Sequence, residues 1–419
     1  MTLLTHELRL LLRSRMALLA LLLVSLLAIA SVAAGMAEVA RQRAVIARIQ
    51  PKQAQDIAAV AQWAGKTQDP GNAAYYSFHA TWDAPAPLAF VALGLRDVAP
   101  YILRVRALGL EAQLYDGEAF NPELALPGRF DFAFVLVYLT PLFVIALFHD
   151  LVSGEREAGR LRMLDALAGA GRHLWTRRML LRGGLLFLAL AVPITIGAIL
   201  SHVPLLPLLA VLGLVALYLA FWIGVTLLVG RLRWSSVTNA ATLAGLWLLL
   251  TLLLPTIAHV AINRAIPVGQ GVELTLAQRE AVNRAWDIPR EQTMQAFYAG
   301  HREWKDSPPL DHAFHWKWYF AFHQVGDESV APKANAYRHG IEARDAAARS
   351  VGWLLPSVGV QALLARLADT DMQAQLAYQD RIRAFHARLR NFYYGYLFTD
   401  TPFGKKDFEQ APQFDETAR

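Results

Sequence analysis

From Gly183 to Asn263 the chain carries only two formally charged residues, Arg231 and Arg233. An aqueous core does not absorb a stretch of that length, whereas a bilayer core takes roughly 20 apolar residues per helix. The stretch divides into three spans, 183–201, 205–229 and 237–262, at Ser201-His202-Val203-Pro204 and Gly230-Arg231-Leu232-Arg233-Trp234. Two more apolar runs, Met16–Ala37 and Phe132–Phe148, bring the expectation to five transmembrane helices. Pro193 and Pro255 fall inside spans, where neighbouring helices can satisfy the freed carbonyls. Composition agrees: the chain is 55% hydrophobic and 18% charged, against about a quarter charged in soluble domains. Zero cysteines exclude a disulfide scaffold, thiolate-bound zinc, iron–sulfur clusters and thiol nucleophiles.

The arginines set an orientation. The N-terminal segment, 151–182 and 230–236 together hold twelve Arg against Glu7, Glu155, Glu157 and Asp165. Basic residues collect on the cytoplasmic side, so these segments are expected there, with 38–130 and everything after about 264 outside. The net charge of +6 is thereby read as topology, and nucleic acid is not an expected partner. Ala28-Ile29-Ala30 resembles a signal-peptide cleavage site, but the apolar run continues past it, so an uncleaved helix is expected. Val351–Ala368 is short for a sixth span and contains Pro356, Gln361 and Arg366. It reads as an amphipathic helix lying at the membrane surface. The expected fold is mainly α: a cytoplasmic N-terminus and first span (1–37), an extracytoplasmic domain (38–130), spans two to five (131–263) and a C-terminal extracytoplasmic region (264–419).

In the first outer segment, Glu38–Trp63 reads as helical, Asp69-Pro70-Gly71-Asn72 as a break, Ala84-Pro85-Ala86-Pro87 as a connector and Tyr101–Val105 as a strand. Residues 264–350 and 371–396 read as helical. Tyr393 to Phe414 is aromatic, packed and irregular.

The sharpest local feature follows the second span: Gly154-Glu155-Arg156-Glu157-Ala158-Gly159-Arg160-Leu161-Arg162-Met163-Leu164, then Gly169-Ala170-Gly171 and a basic helix with Arg177, Arg178 and Arg182. It resembles the signature of type-2 ABC exporter permeases, a span followed by Glu-x-Glu-x-Gly, leucines, a break and a second basic helix. Pro127-Gly128-Arg129-Phe130-Asp131-Phe132, Trp234-Ser235-Ser236, Leu355-Pro356 and Ala368-Asp369-Thr370-Asp371 narrow the resemblance to a bacterial subfamily with two large outer segments and an unknown-function label. Arg160 stands where the family usually has Thr.

The resemblance implies a permease subunit in the bacterial inner membrane, coupled to a separate ATPase subunit through Glu155, Arg156, Glu157, Gly159, Arg160 and Leu161. It further implies a second permease, itself or a sister subunit, contact with membrane lipids, a periplasmic partner for the outer segments and transport outward. The phosphate-binding pattern Gly-x4-Gly-Lys-Ser/Thr is absent, and Gly404-Lys405-Lys406 is no substitute. ATP and Mg therefore belong to the ATPase subunit, and no catalytic residue or cofactor is expected in this chain.

Two readings from other classes compete. His312, His315 and His323 at i, i+3 and i+11 would share one face of a helix and offer imidazoles to a metal, giving a membrane-bound metal-dependent enzyme, although the aromatics from Phe314 to Phe322 equally suit a packed helix. The other is a transport-inactive membrane scaffold. His259 reads as a satisfied buried residue, and Pro141 and Pro255 as bends beside a pathway or in ordinary packing.

Overall fold

Ser14 separates α1 (Leu3–Arg13) from α2 (Arg15–Thr67), and its hydroxyl accepts from the Ala17 N–H at 3.4 Å as the cap of the longer helix. A computed structural model describes residues 3–115, 130–166, 170–269 and 271–415. At 53 residues, α2 is about 80 Å long. The expected Glu38–Trp63 helix is therefore the continuation of the first span. Pro51 is carried inside it, and it stops only at Gln68, in the left-handed region with φ 52°. Asp69 then caps α3 (Pro70–Tyr76), accepting from the Gly71 N–H at 2.8 Å.

β1 (His79–Trp82) and β2 (Ile102–Val105) form an antiparallel pair, His79 opposite Val105 and Trp82 opposite Ile102. The second strand was legible; the first was not. α4 (Leu110–Tyr115) follows. The second span joins α5 (Phe132–Phe134), a π turn at Val135–Leu139, α6 (Thr140–Phe148) and α7 (Ser153–Glu157). Then come α8 (Leu161–Ala166), α9 (Ala170–Leu200), α10 (Leu205–Gly230) and α11 (Ser236–Leu248), a second π turn at Leu249–Leu253, and α12 (Leu254–Ala265). Five helices, Arg15–Thr67, Phe132–Glu157, His173–Leu200, Leu205–Gly230 and Ser236–Ala265, are long and apolar enough to cross a membrane among the described residues. Leu206 and Val237 stand 79% and 80% exposed, tolerable only where lipid replaces water. The protein is a mainly α polytopic membrane protein.

The remainder is α13 (Gly271–Ala285), α14 (Arg290–Gly300), α15 (Trp316–Gly352), α16 (Pro356–Leu367) and α17 (Met372–Leu397). Two large cores organise the described residues, with a small third cluster at Ile145, Val229 and Leu243. One gathers the spans: Val24 and Val32 of α2, Val135, Leu190, Val215 and Trp222, joined by Val360 and Leu364 of α16. The other draws on both segments expected outside the membrane, uniting Ala61, Ala64, Val105 and Tyr115 with Phe297, Phe320, Phe385, Tyr393, Phe403 and Phe408. They form one body. Buried polar groups knit it: Arg390 donates to Asp327 and to the Leu108 carbonyl, both at 2.7 Å, while Asp327 accepts from the Leu110 N–H at 2.7 Å. The aromatic tail is packed as expected, but α17 runs through Tyr396, so the irregular part starts only beyond Leu397.

Residues 351–368 do not form the single helix expected. The segment is a bent hairpin: α15 ends at Gly352 and α16 returns from Pro356. Its returning helix packs beside the fifth span, where the Ser357 hydroxyl donates to the Leu250 carbonyl at 2.9 Å, while Trp353 and Leu354 of the turn stay exposed. Leu250 lies near the middle of the fifth span. The two helices cross at glycines, since a Cβ on Gly359 would come within 2.4 Å of the Gly352 carbonyl oxygen.

Both π turns end one residue short of the position before a proline, Leu139-Thr140-Pro141 and Leu253-Leu254-Pro255. The Leu254 N–H reaches back to the Leu249 carbonyl. In that register the Leu250 carbonyl would next meet Pro255, which has no N–H. Ser357 fills the vacancy. In the second span the Tyr218 hydroxyl donates to the Val137 carbonyl, inside the π turn that precedes Pro141, at 2.9 Å. The Trp247 indole donates to the neighbouring Tyr138 carbonyl at 3.1 Å.

Candidate functional site, a charged knot at one end of the spans

The motif helix α7 ends in a Schellman arrangement. Gly159 N–H donates to the Arg156 carbonyl and Arg160 N–H to the Glu155 carbonyl, each at 3.0 Å, with Gly159 left-handed at φ 73°. A side chain there is strained, which is the physical reason for glycine in Glu-x-Glu-x-Gly. The turn folds Arg160 back so that its Nε donates to Glu155 Oε2 at 2.7 Å.

Glu155 is mostly shielded and has a second partner. Arg178 of α9 gives Nη1 to Glu155 Oε1 at 2.9 Å and Nε to Glu7 Oε2 of α1 at 3.1 Å. One guanidinium therefore bridges two carboxylates from elements far apart in sequence. Glu157 turns the other way and receives the Ser236 backbone N–H at 2.6 Å and the Ser236 hydroxyl at 3.0 Å. A carboxylate at that place satisfies an orphan donor at the start of α11 and complements its dipole. Arg156 donates to the Trp234 carbonyl, and the Ser153 and Ser236 hydroxyls meet at 2.9 Å. Arg182 donates to the Leu147 carbonyl and lies 3.7 Å from Asp150.

The structure thus brings Glu155, Arg156 and Glu157 together with α1, α9 and α11. Their polar atoms are engaged within the chain. Arg160, Arg162 and Met163 are exposed side chains of the α7–α8 corner, as are Arg231, Arg233 and Trp234 of the loop beside it, and Leu161 is half-buried. Sequence reasoning missed Glu7, Arg178 as a bridge, Trp234 and Ser236. The Ser235-Ser236 pair after a break was a capping signal; Glu7 had no local signal. Pro127, Gly128, Arg129 and Gly169 lie outside the described residues.

The histidines do not share a helical face. α15 begins at Trp316, with His315 as its cap: Nδ1 accepts from the Lys317 N–H at 3.2 Å. His312 is exposed in the preceding loop, 3.6 Å from Asp311. His323 is half-buried, takes the Gly109 N–H at 3.4 Å, stacks on Phe322 and is pushed down to about 3 by the loss of water around its ring. Among the described residues no group of three or more His, Cys, Asp or Glu is placed to hold a metal ion. His259, expected buried, is exposed on the fifth span and pairs with Asn263 at 2.9 Å; Gly404-Lys405-Lys406 opens a 3-10 turn.

No curated protein and no solved structure gives a significant match to the chain. Residues 272–416, the stretch carrying α13 to α17, match a family described as a domain of unknown function (DUF3526).

Proposed function

We propose that the chain is the membrane subunit of an ATP-driven transporter, most simply an exporter, and that α7 and α8 receive the motion of a separate ATPase subunit. The observation that carries this reading is the knot at Glu155 and Glu157. A displacement of α7 is passed through Arg178 to α1 and α9, and through Ser236 to the fifth span. Charge-assisted hydrogen bonds are strong and directional, so several spans move with one short helix. In this reading Arg160, Arg162 and Met163 are the docking surface, and the Arg-rich end faces the cytoplasm. The fifth span buries only 6% of its most apolar window, which favours a second permease subunit against it.

The test is mild detergent extraction from the native membrane. A stoichiometric subunit carrying a phosphate-binding loop is expected, and the pair Arg162→Glu with Met163→Asp should release it while the chain still inserts. If the chain emerges without any such subunit, the reading fails. In the Glu155→Ala, Glu157→Ala double variant the ATPase should still bind, with transport lost.

A further inference from the structure

Between the second span and the α15–α16 hairpin lies a cleft of about 790 Å³. Its inner wall is apolar, with Phe134 and Tyr138 on one side and Ala362 and Leu363 on the other. Charged side chains share the lining: Asp97, Asp345, Asp371 and Asp131, the last buried and already accepting from the Leu93 and Phe134 N–H groups at 2.9 Å each, outnumber Arg349 and Arg366 among the described lining residues. Both arginines already lie 3.3 Å from a carboxylate, Arg349 from Asp345 and Arg366 from Asp371.

The level of the cleft decides what reaches it. The hairpin turn is tied to Leu250 in mid-span, and Trp353 and Leu354 in that turn are 91% and 81% exposed. Side chains of that kind at that depth meet acyl chains rather than water. The volume falls in the range of sites that enclose a small amphiphile, about 300–1,000 Å³. An apolar trough lined by more acidic than basic side chains selects a tail and a cationic group on one molecule.

We propose that this cleft binds a bilayer lipid, with one chain along the Phe134–Leu363 wall and an ammonium-bearing head group among the lining aspartates. The site needs neither nucleotide nor an ATPase subunit, so its failure leaves the permease reading standing, and the converse holds.

The full chain, reconstituted in vesicles, is labelled with phosphatidylethanolamine carrying a photoactivatable acyl chain, and in parallel with phosphatidylglycerol carrying the same chain. Adducts should concentrate on peptides covering 133–139 and 353–366, above the exposed face of α10 around Leu217. The ethanolamine head should be favoured by about five-fold, the scale of one good charge contact. Ala362→Trp and, independently, Leu363→Trp should reduce these adducts to the α10 level in protein that still elutes as a single species. Asp345→Asn should narrow the head-group preference and retain the labelling. Uniform labelling along all spans, labelling unchanged in both tryptophan variants, or equal or better capture of the glycerol head would each overturn the proposal.

Discussion

Arg178 serves two carboxylates at once, and both Glu7 and Glu155 are largely withdrawn from water. Removing it takes a partner from each of two partly buried carboxylates, with Glu155 keeping Arg160, which costs more than an exposed ion pair contributes. We expect Arg178→Ala to lower unfolding stability by about 2 kcal/mol, between the exposed and buried cases, read as a drop in Tm in detergent. Arg178→Lys should recover part of that, because an ammonium cannot present two fixed donors to two carboxylates. At Gly159 the same measurement on Gly159→Ala should show a loss of about 1–2 kcal/mol from left-handed strain, with binding of a docked subunit weakened as the α7–α8 corner reopens. Glu155 and Gly159 could be singled out in the sequence by their motif. Glu7, and the pairing of Ser236 with Glu157, could not, because pairing across spans is decided by helix packing, which no local pattern records.

At the scale of elements, the apolar runs located the spans, and their ends at Ser201–Pro204 and Gly230–Trp234 were set by turn residues and charge. The π turns were hidden, since Pro141 and Pro255 announce a defect in the ladder without saying how it is repaired. The repair is specific: Ser357 of α16 serves the Leu250 carbonyl in a dry environment. Ser357→Ala should destabilise the hairpin by about 1 kcal/mol, the usual worth of such a bond inside a membrane or core. Gly359→Val should act more strongly, since its branches would collide with the Gly352 backbone. Cysteine placed at Trp353 should then change its accessibility to a membrane-impermeant thiol reagent, while unaltered accessibility would argue against the crossing as the device that holds the turn. The hairpin was misread from sequence because periodicity reports an amphipathic face without reporting what that face packs on. The histidine spacing misled for a related reason, since the helix onset falls after His315.

For the whole molecule, the body built from 38–115 and 271–415 carries buried and half-buried imidazoles with depressed pKa values. Loss of water pushes His79 down to about 4, His323 to about 3 and His386 well below its ordinary range. The folded state therefore resists protonation, and below about 6.5 the unfolded state binds more protons. Stability is complete above that pH and is lost as pH falls, by at most about 1.4 kcal/mol per pH unit for each group. His301 opposes this, because the neighbouring Glu328 and Glu303 carboxylates favour its protonated form and raise it, but one imidazole does not offset three. Tryptophan fluorescence of thermal unfolding at pH 7 and pH 5 should show the lower Tm at pH 5, and His323→Phe should flatten the slope. Composition and hydropathy gave away a membrane protein with large polar segments beside its spans, but not that both segments share one core, because that depends on contacts between residues hundreds of positions apart. The covering of α2 has a consequence in time. Gly65 and Gln68 are packed and hydrogen-bonded by Lys405 and Phe403, so a helix finished early in synthesis waits for more than three hundred further residues before that surface is closed. Non-local closure of this kind slows folding and prolongs exposure, which makes the nascent chain, rather than the finished protein, the state most in need of a chaperone.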